Sequence, residues 1–252
     1  MAFRLLDQAT TIGASLPVKL SRGITDHLVQ VTLEPTTTTD FTVCEVELQG
    51  SFTNPLTSQS TQAVLAIGST AQRIKNTNAF YYQVAGTNYT VAAGAGGTVI
   101  TDIGGTAITG TITDNKYGGV NVYVSTGGVL RCRLPVGLAL NGLQAYNSAA
   151  LCIAALKLVP TPSEYCLLGR AVTLCSSAFT YGTTALTGVT TFFDEPCPYF
   201  TLAKYSLDAT DLAASQAFFH VTGKTTKYAR AYLSALTGTG MVTVKYFPNE
   251  VM

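Results

Sequence analysis

The stretch that decides the fold is KYARAYLSAL, residues 227–236. Read with a period of two, it predicts a β-strand with small and aliphatic residues on one face. The other face carries Tyr228, Arg230, Tyr232 and Ser234. Because Tyr and Arg are enriched at protein interfaces, we predict that this second face lies against another subunit or a second module of the chain. The alternative is an arginine stem that lies over its own sheet between exposed tyrosines.

The same alternation recurs in the first and last parts of the chain. HLVQVTLEP (27–35) and FTVCEVELQG (41–50) both alternate, and the TTTTD segment between them predicts a hairpin. From about Tyr199 onward the pattern returns in YFTLAKYSL, FFHVTGK, KYARAYLSAL and GMVTVKYFP. Short strands at regular spacing predict an all-β sandwich rather than a parallel α/β sheet.

The middle of the chain predicts further hairpins. NTNAFYYQVAGTNYTVAAG (76–94) predicts two strands around a turn at residues 85–88. The Gly127-Gly128 pair, flanked by alternating residues, predicts another hairpin. The middle region is therefore expected to be β-rich as well.

One helix interrupts these strands. Ser148 is a suitable N-cap for a helix at 149–158, and Pro160 stops it. We expect Leu151 and Leu158 to lie on or near one face of this helix, together with the two alanines between them.

Composition excludes several classes of function. Only 12% of the 252 residues are charged and the net charge is +1, which indicates either a surface covered by neighbours or a Thr- and Gly-rich β-protein. Arg131 and Arg133 are separated by Cys132 and belong to no basic run, so nucleic-acid binding is not predicted. The longest apolar helical stretch is interrupted by Lys157, and the N-terminal segment lacks an apolar signal-peptide core. We therefore expect no membrane association and folding in a cytoplasm.

The chain has six cysteines, at positions 44, 132, 152, 166, 175 and 197. No CxxC pair occurs, and only two histidines are present, so a zinc or redox motif is not predicted. One interpretation is six small buried residues in a reduced compartment. The other is disulfides that form late, in an oxidising medium.

No catalytic, cofactor or metal site is predicted. Asp26 and His27 are neighbours that face opposite sides of a strand, and His220 lies within a strand between apolar residues. Asp194 and Glu195 could bind calcium only with further oxygen ligands. The glycine-rich GAGGTVITDIGG (94–105) precedes no helix or lysine, so it predicts a hairpin tip rather than a phosphate site. We expect that the protein is not an enzyme.

Several segments resemble the virion proteins of tailed bacteriophages. VELQGSFTN (46–54) resembles their strand that ends in a Gly-Ser turn, and FHVTGKTTKYARAYLSALTGTGMVTVKYF (219–247) resembles the last two strands of the same sandwich. Three segments of the middle region, at 76–94, 110–128 and 167–188, are similar to another module of phage structural proteins. Unlike that family, this chain has no Trp and carries the middle module after the Gly-Ser turn.

The resemblance implies an inserted-domain architecture. A discontinuous outer β-sandwich would comprise residues 1–55 and 198–252, and a β-rich module at 56–197 would be inserted at a loop tip and carry the helix. Pro55 and the DEPCP segment would form the two junctions. The alternative is one large sandwich with a long excursion.

The resemblance also implies a function. The chain would be a non-enzymatic component of the virion, made in the bacterial host cytoplasm: a capsid decoration or cement protein that stabilises the shell. Its expected partners are further copies of itself, with a trimer favoured, and the major capsid or collar protein. The alternative is a collar, tail or fibre component that binds a glycan or receptor through exposed aromatics such as Tyr81, Tyr82 and Tyr117.

Besides the β-strand at 227–236, two segments are candidates for these contacts. One holds Arg131 and Arg133. The other is MAFRLLDQ at the N-terminus, with Phe3 and Arg4. A short apolar and basic arm at a chain end becomes ordered only against a partner, although this segment could equally be a simple first strand.

Overall fold

The computed structural model describes residues 3–11, 13–15, 18–24, 27–35, 41–51, 57–94, 96–221 and 226–248. Strands hold 53% of the residues and helices 7%, and the sheets are predominantly antiparallel. The predicted all-β class is therefore confirmed. Among the described residues, no helix has the length and apolar character needed to cross a bilayer.

The helices and strands are short and numerous. In chain order they are β1 (Phe3–Ala9), β2 (Gly13–Ala14), β3 (Val18–Ile24), β4 (His27–Pro35), β5 (Val43–Ser51), β6 (Ser58–Gln59), β7 (Leu65–Ile67), β8 (Arg73–Asn76), β9 (Phe80–Val84), β10 (Thr87–Val91), β11 (Thr98–Val99), β12 (Thr111–Ile112), β13 (Tyr117–Ser125), β14 (Leu130–Arg133), β15 (Leu143–Gln144), α1 (Ala149–Lys157), β16 (Tyr165–Leu174), β17 (Phe179–Thr180), β18 (Thr190–Asp194), β19 (Phe200–Ser206), α2 (Ala209–Ala214), β20 (Gln216–Val221), β21 (Thr226–Thr237) and β22 (Gly240–Pro248).

The chain divides into two compact units. Unit 1 comprises Met1–Leu56 and Pro198–Met252, and unit 2 comprises Thr57–Cys197. The modules expected from the sequence were 1–55 with 198–252, and 56–197. Whether unit 2 folds independently stays a prediction.

Unit 1 is built from two antiparallel sheets that share one core. One sheet has the order β1-β22-β4-β20, and the other has the order β19-β5-β21-β2, with β3 also paired to β21. Buried residues of both sheets join a single hydrophobic cluster, for example Val31 and Val244 from the first sheet and Val46 and Leu233 from the second. Period-two alternation directs one face of each strand into this core.

The predicted hairpin between β4 and β5 is wrong. β4 pairs with β22 and β20, whereas β5 pairs with β19 and β21, so the chain leaves one sheet and enters the other between them. The loop that joins them, residues 36–40, lies outside the described part. Alternation identified each strand, but it carries no information about which strand is its neighbour.

Unit 2 contains four small sheets around a second core. Their strand orders are β10-β9-β6, β11-β8-β7, β15-β12-β17 and β14-β13-β16-β18. Residues from all four contribute to one buried cluster, including Phe80, Ile74, Phe179 and Val122. β13 is the long central strand of the largest sheet, and both of its faces are buried.

Two predicted hairpins of unit 2 are confirmed. β9 and β10 pair antiparallel around Ala85 and Gly86, which both have positive φ values, of 49° and 84°. β13 and β14 also pair antiparallel, and Gly128 in their connection has a φ of 74°. The first connection is a two-residue turn and the second a three-residue loop. Both kinds of hairpin need a left-handed backbone position, which Gly86 and Gly128 adopt without steric cost.

The predicted helix is α1, with Ser148 as its N-cap. The Ser148 hydroxyl accepts a hydrogen bond from the Leu151 backbone N–H at 3.2 Å. The face with Leu151 and Leu158 is not the buried one, since these residues are 53% and 77% exposed, whereas Cys152 and Leu156 are buried.

A second helix, α2, follows β19. The sequence indicates a turn at Asp208 and Asp211, with Asp211 as the candidate cap of a short helix. The structure has a short helix there, but Asp208 is its N-cap, and Asp211 completes a capping box from within the first turn.

Candidate functional site

The polar face of β21 is not a surface. Arg230 is 0% exposed and Tyr232 is 2% exposed, and Tyr228 is half-buried. The prediction was that this face lies against another subunit or a second module of the chain. It is wrong for Arg230, which is covered by Tyr199 of its own unit. The physical reason is that β21 lies inside its sheet, between β5 and the strands β2 and β3, with both faces covered.

The Arg230 side chain contacts an aromatic ring and a side-chain amide. Its guanidinium carbon lies 3.2 Å from the centre of the Tyr199 ring, and its Nε donates a hydrogen bond to Gln49 Oε1 at 2.9 Å. Gln49 Nε2 in turn donates to Glu47 Oε2 at 3.1 Å. A planar guanidinium can stack on an aromatic face and donate within its own plane at the same time. Arg230 therefore joins β21, β5 and the segment before β19 within unit 1.

Arg131 and Arg133 lie next to each other on one face of β14, and both are half-buried. β14 is an edge strand of the largest sheet of unit 2. Arg133 Nη1 donates to the carbonyl of Pro160 at 3.2 Å, and Arg131 Nη1 donates to the carbonyl of Leu130 at 3.2 Å. These bonds leave charged groups at the rim of the sheet. Arg131 and Arg133 are therefore a stronger candidate for contact with an anionic partner than the buried polar face of β21.

Beside these arginines, on the neighbouring strands, lies a group of buried polar side chains that the sequence did not predict. In register with Arg133 come Asn121 on β13 and Arg170 on β16. Asn121 Nδ2 donates to the Tyr123 hydroxyl at 3.0 Å and to the Leu156 carbonyl of α1 at 2.9 Å. Burial raises the pKa of Tyr123, and the Asn121 hydrogen bond and the nearby guanidinium groups oppose that rise. Tyr123 therefore stays neutral and serves as a hydrogen-bonding partner.

Arg170 is paired with an acid. Its Nη1 lies 2.6 Å from Glu195 Oε2, and the two side chains are 11% and 37% exposed. Asp194, the other acid of this segment, accepts the Leu65 backbone N–H at 3.1 Å through Oδ1. Both acids considered for calcium thus have other partners. Within the described part of the chain, no group of three or more His, Cys, Asp or Glu side chains is placed to hold a metal ion.

The N-terminal segment forms a strand. Residues Phe3–Ala9 are β1, which pairs with β22 at the edge of its sheet, so the expectation of an arm ordered only by a partner is wrong. The simple first strand was the alternative. The side chains of Phe3 and Arg4 lie outside the described part, as do Met1 and Ala2.

The aromatic residues considered for glycan binding differ in exposure. Tyr82 is 1% exposed, and its hydroxyl donates to the Ser125 carbonyl at 2.6 Å, so it cannot stack on a sugar. Tyr81 and Tyr117 are half-buried. Tyr117 lines a cleft of about 400 Å³ beside α1 and β18, whose lining residues, among them Leu174 and Phe193, are all uncharged.

The six cysteines form no disulfide. Five are buried, and Cys197 is half-buried with its thiol 3.2 Å from the Gln59 carbonyl. Burial raises the pKa of Cys44, Cys132, Cys152 and Cys166 to about 12. Such thiols stay protonated near neutral pH and are poor nucleophiles.

No family model, curated protein or solved structure matches this chain.

Proposed function

We propose that the chain is a non-enzymatic structural component of a tailed phage particle, a capsid decoration or cement protein that stabilises the shell. The strongest support is the position of two segments in the fold. They are the segments that both resemble parts of a single virion sandwich. Although far apart in sequence, the 46–51 part of VELQGSFTN and the β21 segment form neighbouring strands, and β5 and β21 pair from Tyr228↔Ser51 to Thr237↔Val43. The buried Arg230–Gln49 hydrogen bond joins the same two strands.

The contact with the particle is assigned to the Arg131 and Arg133 pair. The two guanidinium groups lie at the rim of one sheet, and both can form bidentate bonds with carboxylates of a shell or collar protein. Many copies with modest contacts would remain bound through multivalency. The resemblance favours a trimer as the unit that binds.

A role in glycan or receptor binding, as part of a collar, tail or fibre, is the second candidate. It is supported by the uncharged cleft that Tyr117 lines. A neutral sugar would find an aromatic ring and several hydroxyl groups there, and no charge to desolvate.

Mass spectrometry and a cryo-EM map of particles of the encoding phage test the proposal. We expect the protein on the shell, and particles that lack it should be inactivated at lower temperature. Adding back the double variant Arg131→Ala, Arg133→Ala should restore less heat resistance than adding back the unmodified protein. Absence of the protein from purified particles would overturn the virion role. Binding in a glycan screen, with the protein located on a fibre, would favour the second candidate.

A further inference from the structure

The edge strand β20 differs from the other edges of the larger sheets. Its six residues, QAFFHV, pair with β4 in unbroken register from Gln216↔Thr32 to Val221↔His27. The strand contains no Lys, Arg, Asp, Glu, Gly or Pro. Soluble proteins usually protect sheet edges with charges, bulges or short strands, because an open regular edge invites pairing with another chain.

The other edges show such protection. β1 and β19 have register shifts in their pairing, and β19 also carries the exposed Lys204. β2 has only two residues, and β14 carries two arginines. On β18, the Thr190 N–H donates to the Leu186 carbonyl, and Asp194 ends the strand.

The outer side of β20 has unused backbone groups. Antiparallel ladders alternate, and the Leu33 N–H donates to the Ser215 carbonyl, so the groups of 217, 219 and 221 face β4. Those of Gln216, Phe218 and His220 face away. Within the described part of the chain, no hydrogen bond to these outward groups is found. The same three side chains are exposed, and Phe218 is 53% exposed.

We propose that β20 pairs with β20 of a second copy of this chain across a two-fold axis at Phe218. This register uses every outward backbone group and forms about six hydrogen bonds. It places Phe218 opposite its own copy, and Gln216 opposite His220 of the second copy. Aromatic and polar cross-strand pairs of this kind are stabilising, and no like charges meet.

The buried face of β20 fits the same register. Ala217 would lie opposite Phe219 of the second copy, so the smallest side chain faces the largest. Phe219 is fixed in place by stacking on Tyr205, with ring centres 5.1 Å apart and planes 9° apart. The strand that pairs with the open edge of β20 is therefore β20 of a second copy, since QAFFHV is complementary to itself in side-chain size and in charge. A two-fold contact gives a dimer, or a hexamer if the copies also meet about a three-fold axis. It does not depend on the virion role.

Sedimentation velocity of the full chain at tens of micromolar tests the pairing. The unmodified protein should sediment as a dimer or hexamer of the 26.5 kDa chain, and Phe218→Lys should halve that mass because it sets two ammonium groups against each other. Phe193→Lys is the matched control, since Phe193 is 38% exposed on an edge strand of unit 2. Circular dichroism melts verify that both variants fold. A monomeric unmodified protein, or an unchanged mass for folded Phe218→Lys, would overturn the proposal.

Cross-linking tests the register. In the proposed dimer the two Cα atoms at position 218 are about 5.5 Å apart, within disulfide range. The two at position 216 are about 14 Å apart, because they are offset by four residues along two neighbouring strands. Diamide, which oxidises two thiols to a disulfide, should therefore give a covalent dimer of Phe218→Cys but not of Gln216→Cys or the unmodified chain. Equal cross-linking of the two variants, or none of Phe218→Cys, would contradict this register.

Discussion

β21 in unit 1 and β13 in unit 2 are both central strands whose polar face is buried, but the cover differs. The Arg230 side chain of β21 lies under one aromatic ring, Tyr199. The polar face of β13 lies under helix α1, whose Leu156 carbonyl accepts a hydrogen bond from Asn121. The Tyr199 ring can stack directly on the flat guanidinium of Arg230. The backbone of α1 can approach β13 only where the strand carries no bulky side chain.

Gly119 provides that room on β13. A Cβ atom there would lie 2.9 Å from Cys152 Sγ and 2.9 Å from the Ala171 carbonyl oxygen, closer than such atoms normally approach. The helix therefore brings a buried thiol against the sheet. Unit 1 buries one thiol of raised pKa, Cys44, and unit 2 buries three, Cys132, Cys152 and Cys166. The two covers should thus respond differently to alkali and to mutation.

The largest expected difference between the two units is the loss of their free energy of unfolding at alkaline pH. The pKa of such a thiol is about 12 in the folded state and about 8.5 in the unfolded chain. The stability that it contributes is complete below pH 8.5 and is lost as the pH rises from about 8.5 towards 12. Each thiol then costs up to about 1.4 kcal/mol per pH unit. From pH 8.5 to 9.5 we expect unit 2, with three such thiols, to lose about three times as much free energy of unfolding as unit 1. Urea unfolding under reducing conditions, with proteolysis to follow each unit, measures the loss. Equal losses would contradict the difference in buried thiols.

Removal of the Arg230 side chain should be the most costly single change. Arg230→Ala leaves a cavity under Tyr199 and removes the donor to Gln49, so we expect a loss of about 3 kcal/mol in the free energy of unfolding of unit 1. Arg230→Met fills most of the space and should lose about half as much. Urea unfolding followed by circular dichroism measures both. A loss below about 0.5 kcal/mol for Arg230→Ala would show that the side chain is not buried.

Gly119→Val should loosen the helix cover. The added methyl groups force α1 away from β13, and overpacking of this kind costs about 2 kcal/mol. Gly127→Val is the control, because the Cβ position at Gly127 meets nothing closer than the Ser125 hydroxyl at 3.8 Å. Hydrogen exchange of α1 should rise in Gly119→Val and stay unchanged in the control. Normal protection of α1 in Gly119→Val would mean that the helix tolerates the larger residue in place.

The sequence predicted strands better than it predicted their neighbours. Alternation identified β4, β5 and β21, because side-chain period follows from the backbone alone. It placed the polar face of β21 against another subunit or a second module, since a single strand does not show that Tyr199 and Gln49 of the same unit cover Arg230. Gln49 and Arg230 are 181 residues apart, and no local pattern encodes that contact.

The candidate sites were predictable to different degrees. Arg131 and Arg133 could be selected as neighbours on one strand face, and the structure places them side by side. Asn121 and Arg170 gave no signal, because their roles depend on the register of three strands and a helix. The open edge of β20 was readable in part, as a charge-free QAFFHV, but its place at the end of a sheet was not.

The smallest effect concerns the ion pairs of the two units. Arg170 is nearly buried beside Glu195, whereas Lys204 and Glu45 of unit 1 form a more exposed pair at 2.6 Å. Glu195→Gln keeps a hydrogen-bond acceptor but removes the charge that balances Arg170, so we expect a loss of about 1 kcal/mol. Glu45→Gln should lose less, since the Lys204 ammonium remains solvated. Adding 0.5 M salt should diminish the Glu45 effect more than the Glu195 effect, because water and ions reach the exposed pair. Urea unfolding of both variants at low and high salt measures the two losses in free energy of unfolding. Equal losses with equal salt dependence would show that burial of Arg170 does not distinguish the two pairs.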